Sequence, residues 1–104
     1  MPRNQNTTTS GGSFSQATID AVWIKAQAVQ GYDPNVYRKD RCGPWIKKAS
    51  YGTTGDYGWE VDHIKPVAIQ GTDDLSNLQP LHWRNNRGKS DDYPNWNCTI
   101  SSKS

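Results

Sequence analysis

The sequence predicts a small α+β domain: an N-terminal helix packed on an aromatic-rich core, then strand, loop, strand and a polar helix. Three observations carry this. Ile19, Val22, Trp23, Ala26 and Val29 recur at the helical period. Tyr57-Gly58-Trp59-Glu60-Val61 is an aromatic and aliphatic run of strand type, and Leu78 to Leu81 is a second short apolar run. A polar stretch of helical length follows it. With 104 residues the chain is one small domain, and at 33% hydrophobic its aliphatic burial is thin. Five Trp and five Tyr must supply much of the core, since each ring removes a large area from water.

Taken in order, residues 1–13 (MPRNQNTTTSGGS) hold almost nothing to bury and read as a flexible arm, leaving 14–104 as the domain. A helix is predicted over Gln16 to Val29, with Ser15 or Thr18 capping its start and Gly31 after its last turn. Asp33-Pro34-Asn35 within Tyr32 to Asp40 is turn chemistry. Trp45, Ile46 and Ala49 anchor a strand or irregular hairpin over Arg41 to Tyr51. The turn Gly52-Thr53-Thr54-Gly55 then leads into a strand over Asp56 to Asp62, so these two runs are expected to pair. Strand parity puts Tyr57, Trp59, Val61 and His63 on one side and Gly58, Glu60 and Asp62 on the other. Ile64 to Ser76, with Pro66 and Gly71, is a loop. A helix from His82 or Trp83 to about Ser90 sets His82, Asn86 and Lys89 on one stripe. The tail from Asp91, with Tyr93, Pro94 and Trp96, is expected to lie back over the core, and Trp23, Trp45 and Trp59 are expected inside it.

The net charge of +2 implies no polyanionic partner by itself. Its distribution says more. Arg38, Lys39, Arg41, Lys47 and Lys48 stand against Asp40, and further on Asp56, Glu60, Asp62, Asp73 and Asp74 stand against Lys65. This fits a cation site flanked by phosphate-binding surface, although a solvated, charge-balanced surface gives the same count. Cys42 and Cys98 form no CxxC pair, so no structural zinc is expected. Nothing favours a disulfide between them, and no signal peptide is visible, so reduced thiols in a cytoplasmic setting are expected. No apolar run approaches the roughly 18 residues of a membrane span.

One carboxylate, one imidazole and two amides, on Asp62, His63, Asn77 and Asn86, make a candidate site for metal-assisted attack on a phosphodiester. Each has an ordinary reading when taken singly. His63 can be structural, Asp62 can end a strand, Asn77 can be a loop amide, and Asn85 and Asn86 can lie on a helix surface. The ordered set is stronger. Fourteen positions separate His63 from Asn77, and nine separate Asn77 from Asn86. With that spacing, WEVDHI…NLQPL…NNRGK resembles the HNH endonuclease motif, closely over residues 57–92. Upstream, VWIKAQAV and GYDPNVYRKDRCGPWI resemble the lead-in of small stand-alone HNH endonucleases of bacteria and phages.

The resemblance implies a ββα-metal (His-Me finger) nuclease fold and assigns roles. His63 would be the general base and Asp62 and Asn86 the metal ligands. Asn77 would pin the loop and, through its backbone carbonyl, orient the His63 ring. Two oxygen ligands suit one Mg²⁺ or Mn²⁺ per active site, with water and phosphate filling the remaining positions. A further His in some relatives falls at Ser90 here, a poor ligand, so zinc is disfavoured. His82 is equally consistent with touching substrate or the groups around the metal and with a structural role. Glu60 fits a metal-bound water less well than it fits a solvated carboxylate. For DNA contact the candidates are Arg84, Arg87 and Lys89, flanked by Arg38, Arg41, Lys47 and Lys48. The implied activity is nicking of DNA at low sequence specificity by a monomer or weak homodimer. A non-catalytic nucleic-acid-binding module and an RNA-directed nuclease are the alternatives.

Overall fold

The structure, a computed structural model, describes residues 5–101. Helix α1 (Gln16–Trp23) starts where the Ser15 hydroxyl accepts the Thr18 N–H, satisfying one of the free donors of the first turn. Ile19, Val22 and Trp23 turn inward, and Ala26 follows just beyond the helix. The expected continuation to Val29 does not form. After Ile24 the chain leaves the helix, and Gln27 instead exchanges both backbone hydrogen bonds with Lys39.

Lys39 ends strand β1 (Tyr37–Lys39), which pairs antiparallel with β2 (Trp45–Lys47). Strand β3 (Trp59–His63) pairs antiparallel with β4 (Leu78–His82), and helix α2 (Trp83–Lys89) follows at once. The hairpin expected between the Trp45 and Trp59 runs is therefore corrected. β2 turns back on β1 because the chain reverses tightly between Asp40 and Pro44, where Asp40 and Gly43 both donate backbone hydrogen bonds across the turn. Only local links join the two original candidates, such as Lys47 N–H to the Tyr57 carbonyl. Pro80 sits inside β4 without cost. The Val61 N–H opposite it points away from β4 to Asn6 Oδ1, so this pair asks no ladder bond of the proline.

Trp23 and Trp59 form the centre of the core, with ring centroids 5.3 Å apart, and Tyr51 meets Trp59 edge-on at 5.0 Å. Ile46, Val61 and Leu78 complete it. Trp45 does not join them; it lies on the outer face of the β1–β2 ribbon, half-buried, correcting the core assignment. Gly58 and Gly71 are required by close approach, because a Cβ there would strike the carbonyls of Thr53 and Lys65 respectively.

Asp40 ties these parts together. It is 1% exposed, and its Oδ1 accepts the N–H groups of Cys42 and Gly43 at 2.7 and 3.0 Å. Its Oδ2 accepts the His82 N–H at 2.9 Å and the Asn85 side-chain amide at 3.0 Å. One carboxylate thus anchors the start of α2 to the turn between β1 and β2. Asn85 passes the link to the tail by bonding both the N–H and the carbonyl of Ile100. Trp96 meanwhile lies under the Arg41 guanidinium.

Two further expectations are corrected. Cys42 and Cys98 are joined in a disulfide, which fastens the tail beside this node and removes the reduced-thiol argument for a cytoplasmic setting. Nor do residues 5–13 behave as a free arm; residues 1–4, Arg3 included, lie outside the described residues. Asn6 Oδ1 accepts from Tyr51 and from the Val61 N–H, and Thr9 donates its N–H and its hydroxyl to Asp73. Side-chain amides and hydroxyls, not apolar burial, hold this segment down.

The crosslink spans 56 residues, so chain entropy alone gives it about 4 kcal/mol of stability. Urea denaturation with and without dithiothreitol checks this. A lower midpoint on reduction is expected, and an unchanged midpoint contradicts the crosslink.

Candidate active site

β3 is buried along its whole length and its side chains alternate. Trp59 and Val61 enter the core, while Glu60 and Asp62 meet α2. Glu60 is 3% exposed, so the solvated carboxylate expected there is corrected. Its Oε1 accepts the Asn86 amide at 2.8 Å and its Oε2 accepts Arg87 at 3.0 Å. A carboxylate accepts only, so the Asn86 amide must turn its Nδ2 to Glu60. Gln5 Oε1 also takes that Nδ2, at 3.3 Å. Oδ1 is thereby the Asn86 atom left for an ion.

Asp62 accepts from the Gln79 amide at 2.8 Å and from the Lys89 ammonium at 3.3 Å. Lys89 is 1% exposed and also donates to the His63 carbonyl at 3.0 Å. Its expected role in touching DNA is therefore corrected: three residues after Asn86 on the helix, its stem runs inward and its charge is spent on Asp62. Burial pushes the Asp62 carboxyl above its ordinary 3.8, and the bonds from Gln79 and Lys89 oppose that shift without cancelling it. A group whose folded pKa is raised stabilises the fold most at low pH and loses that contribution as pH rises through the raised value. Ionising the buried Asp62 thus comes at a cost to the fold, which is common where a carboxylate serves chemistry.

His63 closes the strand against Phe14, ring centroids 5.9 Å apart. Its Nε2 lies 2.8 Å from Asp73 Oδ1. Burial is the largest single influence on the Asp73 carboxyl and raises it, but the bonds from His63 and Thr9 together outweigh it and hold the group below 3.8. Asp73 is then ionised at neutral pH and can only accept, so Nε2 carries a proton and Nδ1 of a neutral ring carries the lone pair. Among the described residues Nδ1 makes no hydrogen bond. No hydrogen bond joins His63 to the Asn77 carbonyl among the described residues; that carbonyl accepts the Ile64 N–H at 2.8 Å, and the contact on the His63 ring comes from Asp73. Asn77 does pin the loop: its amide side chain bonds Lys65 N–H, Lys65 O and Thr72 O.

Asp62, His63 and Asn86 all line one cleft of about 100 Å³, together with Asn6, Val67 and Asp91. Parity separates Asp62 from His63 along the strand, but at its end both reach this cleft. His82 lies elsewhere, opposite Trp59 at the far end of β3. Its Nδ1 accepts the Arg84 N–H and its Nε2 donates to the Asp56 carbonyl, so it caps α2. Of the remaining cations, Arg84 and Arg87 are exposed and lie 4.7 and 5.4 Å from the Trp83 ring. Arg38 is committed to Trp23 and to the Pro34, Ile24 and Ala26 carbonyls, and Lys48 sits 3.9 Å from Asp20. Arg41 is exposed over Trp96, and Lys47 lies on the ribbon.

No three His, Cys, Asp or Glu side chains gather as a metal cage among the described residues. A cation in the cleft would rest on the Asp62 carboxylate, the Asn86 Oδ1 and oxygens from water or phosphate. That hard, sparse donor set fits Mg²⁺ or Mn²⁺.

A strand–strand–helix unit thus gathers an aspartate, a histidine and an asparagine in one cleft. A family model described as HNH endonuclease matches residues 40–96, over half of the chain, and the chain belongs to that family. The match begins at Asp40, so it takes in the node beneath α2 as well as the cleft. Among curated proteins and solved structures nothing matches.

Sequence reasoning passed over Asp73, Lys89 as a buried partner, and Asp40. Only the adjacency of Asp73-Asp74 in a loop hinted at the first. Asp73 is 40% exposed, so Asp73→Asn should leave the fold intact while releasing the Nε2–H tautomer of His63. Long-range ¹H–¹⁵N NMR of the imidazole reads this directly; an unchanged tautomer in the variant contradicts the pairing.

Proposed function

We propose that this protein is a divalent-metal-dependent DNA endonuclease that hydrolyses phosphodiester bonds and nicks one strand at a time with low sequence specificity. The observation that carries the reading is the convergence of Asp62, His63 and Asn86 on one cleft in a chain of a nuclease family. In it, His63 Nδ1 takes the proton of the attacking water. Asp73 holds Nε2–H and stabilises the imidazolium as it forms, the part a buried carboxylate plays behind other catalytic histidines. Asp62 and Asn86 would hold Mg²⁺ or Mn²⁺ through oxygen. When bound, the cation supplies charge neutralisation at the phosphate and at the leaving oxygen. Arg84, exposed on α2, would take a neighbouring phosphate, and Arg87, exposed but paired with Glu60, would join it. The products are a 5′-phosphate and a 3′-hydroxyl. One cleft per monomer cuts one strand, and a double-strand break needs two.

A second reading has its own observation. The Lys89 ammonium sits on the Asp62 carboxylate, as it would in a nucleic-acid-binding module that has dispensed with metal. Supercoiled plasmid with Mn²⁺, Mg²⁺ or EDTA separates the two. Open-circular product is expected with metal and not with EDTA, and His63→Ala should lower the rate at least about 100-fold, the worth of a general base. Plasmid bound but never cut under any metal condition overturns the enzyme in favour of the module. Cleavage of structured RNA in preference to plasmid redirects the substrate.

A further inference from the structure

The face of the β1–β2 ribbon turned away from the core carries an arrangement that the cleft does not use. Alternation puts Arg38 and Ile46 inward, where Ile46 is fully buried. Tyr37, Lys39, Trp45 and Lys47 face outward, and the register sets each cation against a ring: Tyr37 opposite Lys47, Lys39 opposite Trp45. The Lys39 ammonium lies 4.9 Å from the Trp45 ring, and Lys47 lies 5.3 Å from Tyr37 and 5.6 Å from Tyr57. Tyr32 extends the row, its ring 4.6 Å from Trp45, while Tyr37 is 6.0 Å from Trp45 and 6.2 Å from Tyr57. Four rings are thus contiguous.

Such rings normally bury one another. Here the row remains partly open, with Tyr32 51% and Tyr57 43% exposed and Tyr37 and Trp45 half-buried between them. Its cations rest on its own rings and are not neutralised by a carboxylate. Lys39 and Lys47 form no ion pair among the described residues, since the nearby Asp40 faces inward and Asp33 accepts the Asn35 N–H. A surface of contiguous open rings edged by unneutralised ammonium groups matches a chain that is both anionic and aromatic. An acidic peptide would leave the rings unused, and an apolar partner would strand the charges. Duplex DNA hides its base faces, so it would meet the lysines and not the rings.

We propose that the outer face of the β1–β2 ribbon is a stacking platform for single-stranded DNA, with bases on Trp45, Tyr37, Tyr32 and Tyr57 and phosphates on Lys39 and Lys47. Stacking of this kind tolerates any base, because every base has a π-face. The proposal rests on the nuclease reading in one respect: it gives that cleft a substrate class, DNA with an unpaired stretch beside the cut. Tyr57 lies in the turn before β3 and His63 at that strand's far end, and β3 alone covers about 13 Å at strand spacing, so an unpaired segment reaching from the cleft is what would engage the platform.

The test is fluorescence anisotropy in EDTA with a labelled 15-nucleotide oligothymidine and a duplex of equal length. The single strand is expected to bind at least about tenfold tighter than the duplex. Trp45→Ala and the double variant Lys39→Ala/Lys47→Ala should each weaken single-strand binding about tenfold or more, while Trp45→Phe retains it. The lysines are solvent-side, so the double variant keeps the test valid even where Trp45→Ala fails to fold. Equal affinity for the two DNAs, or wild-type single-strand binding by the double variant, overturns the platform. Hydrolysis of bis(p-nitrophenyl) phosphate by the wild-type protein reports the chemistry separately, since that diester cannot span cleft and ribbon. Its absence would count against the nuclease and leave the platform judged by binding alone.

Discussion

The placement of α2 rests on one buried carboxylate. Asp40 is sealed from solvent, so its two oxygens must be met by protein donors, and four N–H groups from the turn, from His82 and from Asn85 meet them. That requirement fixes where the helix begins relative to the ribbon. Once the start of α2 is set, its inward positions fall at Asn86 and Lys89, against Glu60 and Asp62 of β3. The tail and the disulfide close over the same node. The geometry of the cleft is in this sense a consequence of a residue that does not line it.

The cleft gathers charges that a stable core would avoid. Asp62 and Lys89 are both buried, and such a pair generally returns little more than its own desolvation cost. Glu60 nearby is matched by Asn86 and Arg87. Burying Glu60, Asp62 and Lys89 together in so small a domain fits the proposed reading, in which a carboxylate is presented dry and pre-aimed to a cation and a phosphate. The N-terminal segment takes part in this as well. Thr9 steadies Asp73, Asp73 steadies His63, and Asn6 covers the open edge of β3 at Val61.

Much of the fold was legible in the sequence because it rests on local periodicity. The inward face of α1, the strand through Trp59 and Val61, the short strand at Leu78 and the helix after His82 all lie where the pattern puts them. The aspartate, histidine and asparagine that line the cleft were visible too, as an ordered set with characteristic spacing. What was not legible depends on partners distant in sequence. Nothing local distinguishes Asp40, buried under four donors, from the exposed charges around it. Lys89 looks like any surface lysine until Asp62 is set beneath it. The N-terminal segment has no apolar residue to announce its docking, since amides and hydroxyls do that work. α1 stops early because Gln27 finds a better partner in Lys39, and β2 prefers β1 because the Asp40 turn brings them together first.

The central claim is that a divalent cation binds between Asp62 and Asn86, next to His63. The chain has two histidines, and they lie at opposite ends of β3, one in the cleft and one capping α2. Paramagnetic broadening by Mn²⁺ therefore offers an internal control. Titrating Mn²⁺ while following the imidazole Hε1 resonances should broaden His63 at substoichiometric metal and spare His82, with Asp62→Asn abolishing the effect. Equal broadening of both rings, or none of either, would contradict the account.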